Sequence, residues 1–183
     1  MFNIAVLASG GGSNLQAIID ACKTNRLKKT QVCTVISNNK DAYALSRAKN
    51  EGIPAYHLLA EDDIFETLLK HQANIVFLAG YLKKIGPKLV GAYDIYNIHP
   101  SLLPKYGGKG MYGINVHKAV LASNEKETGV TIHKVDSNYD TGPIIAQKIV
   151  PVLPDDTPEA LAARVLEQEH LLLVETLIKL CQD

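Results

Sequence analysis

Cysteine is scarce in this chain of 183 residues: Cys22, Cys33 and Cys181 are odd in number and show no CxxC spacing, which argues against a disulfide framework and a zinc site. A charge of one sign is also missing. Lys and Arg together number 19, as do Asp and Glu, so no global field draws nucleic acid, an anionic membrane or a basic partner. An anionic substrate must be held locally. No apolar run reaches membrane-spanning length, and no basic segment with a long apolar core precedes the first strand. Repeats, low-complexity tracts and linkers are absent. The six histidines lack HExxH or paired-ligand spacing, so no metal is expected. What remains is a reduced, cytoplasmic chain, 46% hydrophobic, with enough apolar residues for one well-buried core. The reading is a single domain over residues 1–183.

The apolar pattern alternates between two periods. Phe2 to Ala8, Val32 to Ile36, Ala55 to Leu58 and Ile75 to Ala79 read as short strands, the first nearly continuous in apolar residues, as in a strand buried on both faces. Between them lie helical spacings: Leu15, Ile18, Ile19 and Cys22; Ala42 to Asn50; Phe65, Leu68 and Leu69. Strands separated by helices imply right-handed crossovers and a mainly parallel, doubly wound sheet.

The first strand breaks into Ser9-Gly10-Gly11-Gly12-Ser13-Asn14, with Ser13 or Asn14 placed to cap the helix that follows. Strand, glycine loop and helix form an anion site, because the free N–H groups of the first turn and the helix dipole favour a phosphate. A tight turn is the plainer role, but three consecutive glycines exceed its needs. The dinucleotide fingerprint fails where its third glycine is Leu15 and where Ser37-Asn38-Asn39 lacks the acid after the second strand. A P-loop fails for want of a Lys-Ser or Lys-Thr after the loop. A monophosphate on a small substrate fits better.

The densest stretch runs from Tyr96 to Gly108. Asn97 and His99 sit two apart at the end of an apolar run, so in a strand their side chains share one face. Pro100 ends the strand, which puts the pair at its carboxyl end, where open α/β sheets hold ligands. Either residue alone at a strand end is more often a turn former or a surface residue. Val116 to Leu121 reads as helix, Thr128 to Val135 and Ile144 to Val150 as a strand pair, and residues 136–143 as the polar turn between them. By composition Asp136 and Asp140 are turn residues. Thr157-Pro158-Glu159 opens the last helix with a cap, a first-turn proline and an acid. Leu161, Val165, Leu172, Leu173, Leu177 and Leu180 mark its buried face, interrupted by Gln168-Glu169-His170.

Taken together, the run from Ser9 to Ile18, Asn97-Ile-His-Pro-Ser-Leu-Leu-Pro104, Asp140-Thr-Gly-Pro-Ile144 and Gln168-Glu-His170 resemble the phosphoribosylglycinamide formyltransferases of the folate formyltransferase superfamily. The similarity covers essentially the whole chain, with the motifs in family order. It implies a seven-stranded, mainly parallel α/β fold with helices on both faces and a Rossmann-like N-terminal half. It also implies transfer of a formyl group from 10-formyltetrahydrofolate to the amine of glycinamide ribonucleotide in purine biosynthesis, by direct attack through a tetrahedral intermediate and without a metal. Asn97, His99 and Asp140 are then the catalytic residues. Gly11, Gly12, Ser13, Asn14 and Glu169 would hold the ribonucleotide, and Leu82, Lys83, Ile85 and Asp136, Ser137, Asn138, Tyr139 and Asp140 the folate. Residues 1–95 become a phosphate-binding half and residues 96–183 a catalytic and folate-binding half, in a monomer or weak homodimer. The resemblance further implies a cis Leu103–Pro104 peptide.

The chain departs from the family pattern at Lys83, where relatives often carry arginine, and has no arginine between Arg47 and Arg164. The run from Gly107 to His117 is longer than the usual loop and would alter the pocket rim. Two other classes stay open at this point: a sugar-nucleotide N-formyltransferase, which would keep the same catalytic set, and a non-catalytic phosphate-binding module, which would need only the glycine loop.

Overall fold

The structure, a computed structural model, describes residues 1–181. The strands β1 (Phe2–Leu7), β2 (Thr30–Ser37), β3 (Ala55–His57), β4 (Ile75–Leu78), β5 (Asp94–His99), β6 (Glu127–Lys134) and β7 (Ile144–Pro151) form one sheet in the order β3-β2-β1-β4-β5-β6-β7. The pairs from β3 through β5 are parallel, whereas β6 runs antiparallel to both its neighbours. This is the doubly wound, mainly parallel α/β sheet expected.

Helices α1 (Ser13–Lys23), α2 (Tyr43–Asn50), α3 (Glu61–Lys70), α4 (Pro87–Ala92), α5 (Ile114–Ala122) and α6 (Pro158–Leu180) cover both faces. Alternation along β1 explains its apolar run. Ile4 and Val6 pack with Leu15 and Ile18 of α1, Ala44 of α2 and Leu161 and Leu173 of α6, while Ala5 and Leu7 pack with Ile64 and Leu68 of α3 and Leu89 of α4. A strand buried on both faces has no polar side. On α3 it is Ile64, not Leu69, that turns inward with Leu68; Leu69 is 52% exposed.

Two helix starts differ in kind. Thr157 caps α6 as expected, its hydroxyl accepting from the Ala160 N–H at 3.1 Å. At α1 neither Ser13 nor Asn14 caps. Gly12 takes the cap position in the left-handed region at φ 73° without a side-chain cap bond, and Asn14 lies one residue inside the first turn. The Leu103–Pro104 peptide is cis.

The chain winds outward from β1 through β2 to β3, then returns to lay β4 on the opposite side of β1. The order therefore reverses between β1 and β4, where strand ends leave a crevice. Ser9 spans it: its N–H donates to the Gly80 carbonyl at 3.0 Å, its hydroxyl accepts from the Leu82 N–H at 2.9 Å and donates to Asn38 Oδ1 at 2.5 Å.

Candidate active site

A cleft of about 650 Å³ opens at this crevice. The loops after β1, β4 and β5 enter it from the carboxyl ends of parallel strands, as expected. The segment 136–143 reaches it differently. Because β6 is antiparallel, Lys134 lies beside Tyr96 and the Val135 N–H bonds to the Ile95 carbonyl, so this loop departs toward the amino end of β5 and folds back along the sheet face. Of the residues expected to bind folate, Leu82, Lys83, Ile85, Asp136, Asn138, Tyr139 and Asp140 line the cleft. Ser137 does not; it is exposed outside the lining. Gly11, Gly12, Ser13, Asn14 and Glu169 all line it. The rim includes Gly108 to Ile114 of the long loop.

The anion end is built by orienting backbone. The Gly10 carbonyl accepts from the Ala44 N–H at 3.0 Å and the Gly11 carbonyl from Arg47 Nε at 2.7 Å, so both oxygens turn toward α2 and away from the start of α1. Arg47 also donates to Gln16 Oε1 at 3.2 Å and stacks over Tyr43 at 4.9 Å, bracing the loop from outside the lining. The N–H groups of the first α1 turn are left for an anion. Asn14 then reaches across the molecule, Nδ2 donating to Glu169 Oε2 at 2.7 Å. Burial pushes the Glu169 carboxyl up to about 7, against the pull of that amide.

These contacts decide which glycine can be tested. A Cβ on Gly12 would sit 2.8 Å from Ala44 Cβ, at a φ that side chains rarely adopt, so replacement there strains the fold. Gly11 has nothing within 4 Å of its virtual Cβ. Gly11→Val is therefore expected to raise KM for a phosphorylated substrate about tenfold or more and leave folate affinity within about twofold. Equal losses for both ligands in steady-state kinetics would assign the loop a purely structural role.

Asn97, His99 and Asp140 converge at the other end. Asn97 and His99 share one face of β5. Asp140 joins them because its backbone takes φ 56°, unusual for a residue other than glycine. Its Oδ1 accepts from Asn97 Nδ2 at 3.3 Å and its Oδ2 from the Gly108 N–H at 2.9 Å, with His99 Nδ1 3.7 Å from Oδ2. Gly107 lets the long loop come this close, since a Cβ there would lie 2.6 Å from Leu103 and 3.3 Å from the Asp140 Cβ. His99 is 4% exposed, and its Nε2 lies 2.7 Å from the Tyr106 carbonyl, which can only accept. That nitrogen carries the hydrogen, so Nδ1 faces Asp140.

The electrostatics follow from this crowding. Burial pushes His99 below the usual imidazole range, while Asp140 and the Tyr106 carbonyl pull it back up. Burial pushes the Asp140 carboxyl up, but contact with His133, the charge His99 can carry and the Gly108 N–H outweigh it and hold the group below the usual carboxylate range. Asp140 is ionised at neutral pH. His133 itself was not singled out from the sequence. It stands opposite Asn97 in the β5–β6 register, and only that register, set by antiparallel pairing, brings it to the site.

The formyl transferase family model matches residues 2–177. The chain belongs to the formyl transferase family. Within it, the chain is 47% identical over 191 residues to a chloroplastic phosphoribosylglycinamide formyltransferase of Vigna unguiculata, covering 98% of this chain and 61% of that one, less than two thirds of its length. Against the phosphoribosylglycinamide formyltransferase of Escherichia coli K12 it is 41% identical, covering 92% of this chain and 82% of the relative. The crystal structure of glycinamide ribonucleotide transformylase 1 from Symbiobacterium toebii superposes with a TM-score of 0.91 at 37% identity, covering 100% of this chain and 88% of that one. The formyl transferase fold thus extends through both the glycine loop and the end of the cleft where Asn97, His99 and Asp140 meet.

Proposed function

We propose that the protein transfers the formyl group of 10-formyltetrahydrofolate to the primary amine of glycinamide ribonucleotide, a step of de novo purine biosynthesis. One observation carries the reading: a helix-terminal anion site and a convergent amide, imidazole and carboxylate stand at two ends of one cleft. The relatives' names supply the formyl acceptor, and the folate donor is what the family resemblance implies.

The chemistry divides among the chain's own groups. The amine lone pair attacks the formyl carbon, a C–N bond forms, and the carbonyl electron pair moves onto oxygen. The Asn97 amide donates to that oxyanion, and Asp140 draws His99, which burial otherwise keeps neutral, into carrying positive charge beside it as the oxyanion develops. The attacking nitrogen sheds a proton toward Asp140 by way of water. The carbon–nitrogen bond to N10 of the folate then breaks, its electron pair stays on N10, and N10 takes up a proton. The products are the formylated ribonucleotide and tetrahydrofolate. No metal and no covalent enzyme intermediate is required.

Binding divides likewise. Gly11, Gly12, Ser13 and Asn14 hold the phosphate, and Glu169 accepts ribose hydroxyls. Leu82, Ile85 and the segment from Asp136 to Asp140 receive the pterin, Ser137 through its backbone. Lys83 binds the Leu59 carbonyl through Nζ, which leaves it a rim residue. Residues 1–183 act as one domain, with phosphate binding in 1–95 and catalysis in 96–183, and Glu169 reaches back from the second half to the first. The catalytic set comes from one chain, so a monomer or weak homodimer suffices. The free thiols of Cys22, Cys33 and Cys181 suit a reducing cytoplasm.

The test is incubation of the purified protein with both substrates. Folate deformylation tied one-to-one to ribonucleotide formylation is the expected result. Deformylation without the ribonucleotide, or no reaction, would overturn the assignment.

A further inference from the structure

We infer that His133 is a positioning residue, holding the Asn97 amide so that one of its N–H groups passes from Asp140 to the formyl oxygen as charge develops there. This rests on the formyl-transfer reading above and adds a residue and a coupling to it.

The hydrogen-bond logic is closed. His133 is 1% exposed, with Nδ1 3.0 Å from the Lys134 carbonyl. That oxygen can only accept, so with the ring neutral the hydrogen lies on Nδ1, and Nε2, which also stands 3.5 Å from Asp140 Oδ1, presents a lone pair. Asn97 Nδ2 lies 3.1 Å from this Nε2 and 3.3 Å from Asp140 Oδ1. Both neighbours are acceptors, so the amide nitrogen, not its oxygen, must face them. A primary amide has two hydrogens, and in the substrate-free site both are engaged.

An oxyanion donor with no free hydrogen must release a partner. The bond to Asp140 is the longer of the two and lies on the loop side, since Asp140 sits between β6 and β7 whereas His133 is paired in β6 beside Asn97. When the amide turns that hydrogen to the formyl oxygen, His133 keeps the nitrogen in place. Asp140 loses a donor at the same moment, and a carboxylate with fewer donors is a stronger base. The single amide thereby links oxyanion formation to uptake of the amine proton.

His133→Leu removes the acceptor, whereas His133→Gln keeps an oxygen acceptor near the place of Nε2. The Leu variant is expected to lose about 10- to 100-fold in kcat, less than the roughly 10²–10³ that loss of an oxyanion donor costs, with both KM values within about twofold. The Gln variant should recover most of kcat. In an Asn97→Ala background, His133→Leu should add no further loss, because it acts only through Asn97. The same factor in both backgrounds, or a Gln variant no better than Leu, would overturn the inference. Should the Leu variant lack a cooperative melt, the Gln variant decides alone: kcat near the parent supports the role, and kcat as low as Asn97→Ala refutes it. NMR of the Asn97 side-chain amide in substrate-free protein reads the geometry without turnover. Two slowly exchanging hydrogens are expected in the parent and Gln proteins. An amide that exchanges freely in the parent defeats this inference, whereas a protected amide in a protein that does not formylate defeats the formyl-transfer reading instead.

Discussion

Asp140→Asn is expected to lower turnover about 10²–10³-fold, with folate affinity nearly intact, the scale usual for loss of one preorganised electrostatic partner in a transition state. The groups aimed at Asp140 explain why asparagine is a poor substitute. Asn97 Nδ2 and the Gly108 N–H both donate to its two oxygens, so an NH₂ group in either place meets a donor. The missing charge matters most once the amine nitrogen becomes cationic, which is why kcat bears the loss rather than binding. His99 gives a second reading on the same variant. Burial already pushes its pKa below the usual range and Asp140 opposes that push, so without the carboxylate the ring must lose its proton at a lower pH than in the parent. NMR titration of His99 beside single-turnover rates provides both numbers. A normal rate, or a His99 pKa that stays or rises, would return Asp140 to the turn role its composition suggests.

Glu169→Gln should make the substrate-free protein more stable above neutral pH and a weaker binder of the ribonucleotide. Burial raises this carboxyl from 4.5 to about 7. A raised folded value means that the stability contribution is fully present below 4.5, declines as pH rises, and is lost by the time pH has passed about 7. At pH 8 the deficit approaches about 3 kcal/mol by the usual 1.36 kcal/mol per unit, equivalent to several degrees of Tm for a chain of this size. Glutamine carries no charge to desolvate, so its Tm should exceed the parent's at pH 8 and match it near pH 4. The ribonucleotide reads the opposite sign. An ionised acceptor binds hydroxyls more strongly than an amide, by roughly 1 kcal/mol or more, so KM for the ribonucleotide in the parent should fall as pH rises through 7, and in the variant stay high and flat. A Tm difference independent of pH would show that Glu169 titrates like an exposed acid.

Much of this was legible along the chain because its signals are local. A strand buried on both faces must be apolar throughout, which marked β1, β2 and β4, and the two-residue spacing of Asn97 and His99 put both on one face before any sheet was known. Two of the failures share a cause in contacts distant in sequence. Asn14 looked like a cap, but its amide is taken by Glu169, 155 residues away, and Gly12 frees it by adopting the cap backbone itself. His133 looked like an ordinary strand residue because its partner Asn97 lies 36 residues earlier and antiparallel. Leu69 carried the helical period of α3, yet Ile64 supplies the buried turn and Leu69 falls just beyond it.

The bond between Asn14 and Glu169 also orders events in time. Translation delivers the glycine loop and β1 ahead of every other strand of the sheet, but the carboxylate that Asn14 binds stands on α6, made after all seven strands. The glycine loop is therefore made long before the side chain that Asn14 reaches across the molecule to bind. A chain interrupted before residue 169 would lack the partner of the Asn14 amide and, on the proposed reading, the group that accepts the ribose hydroxyls.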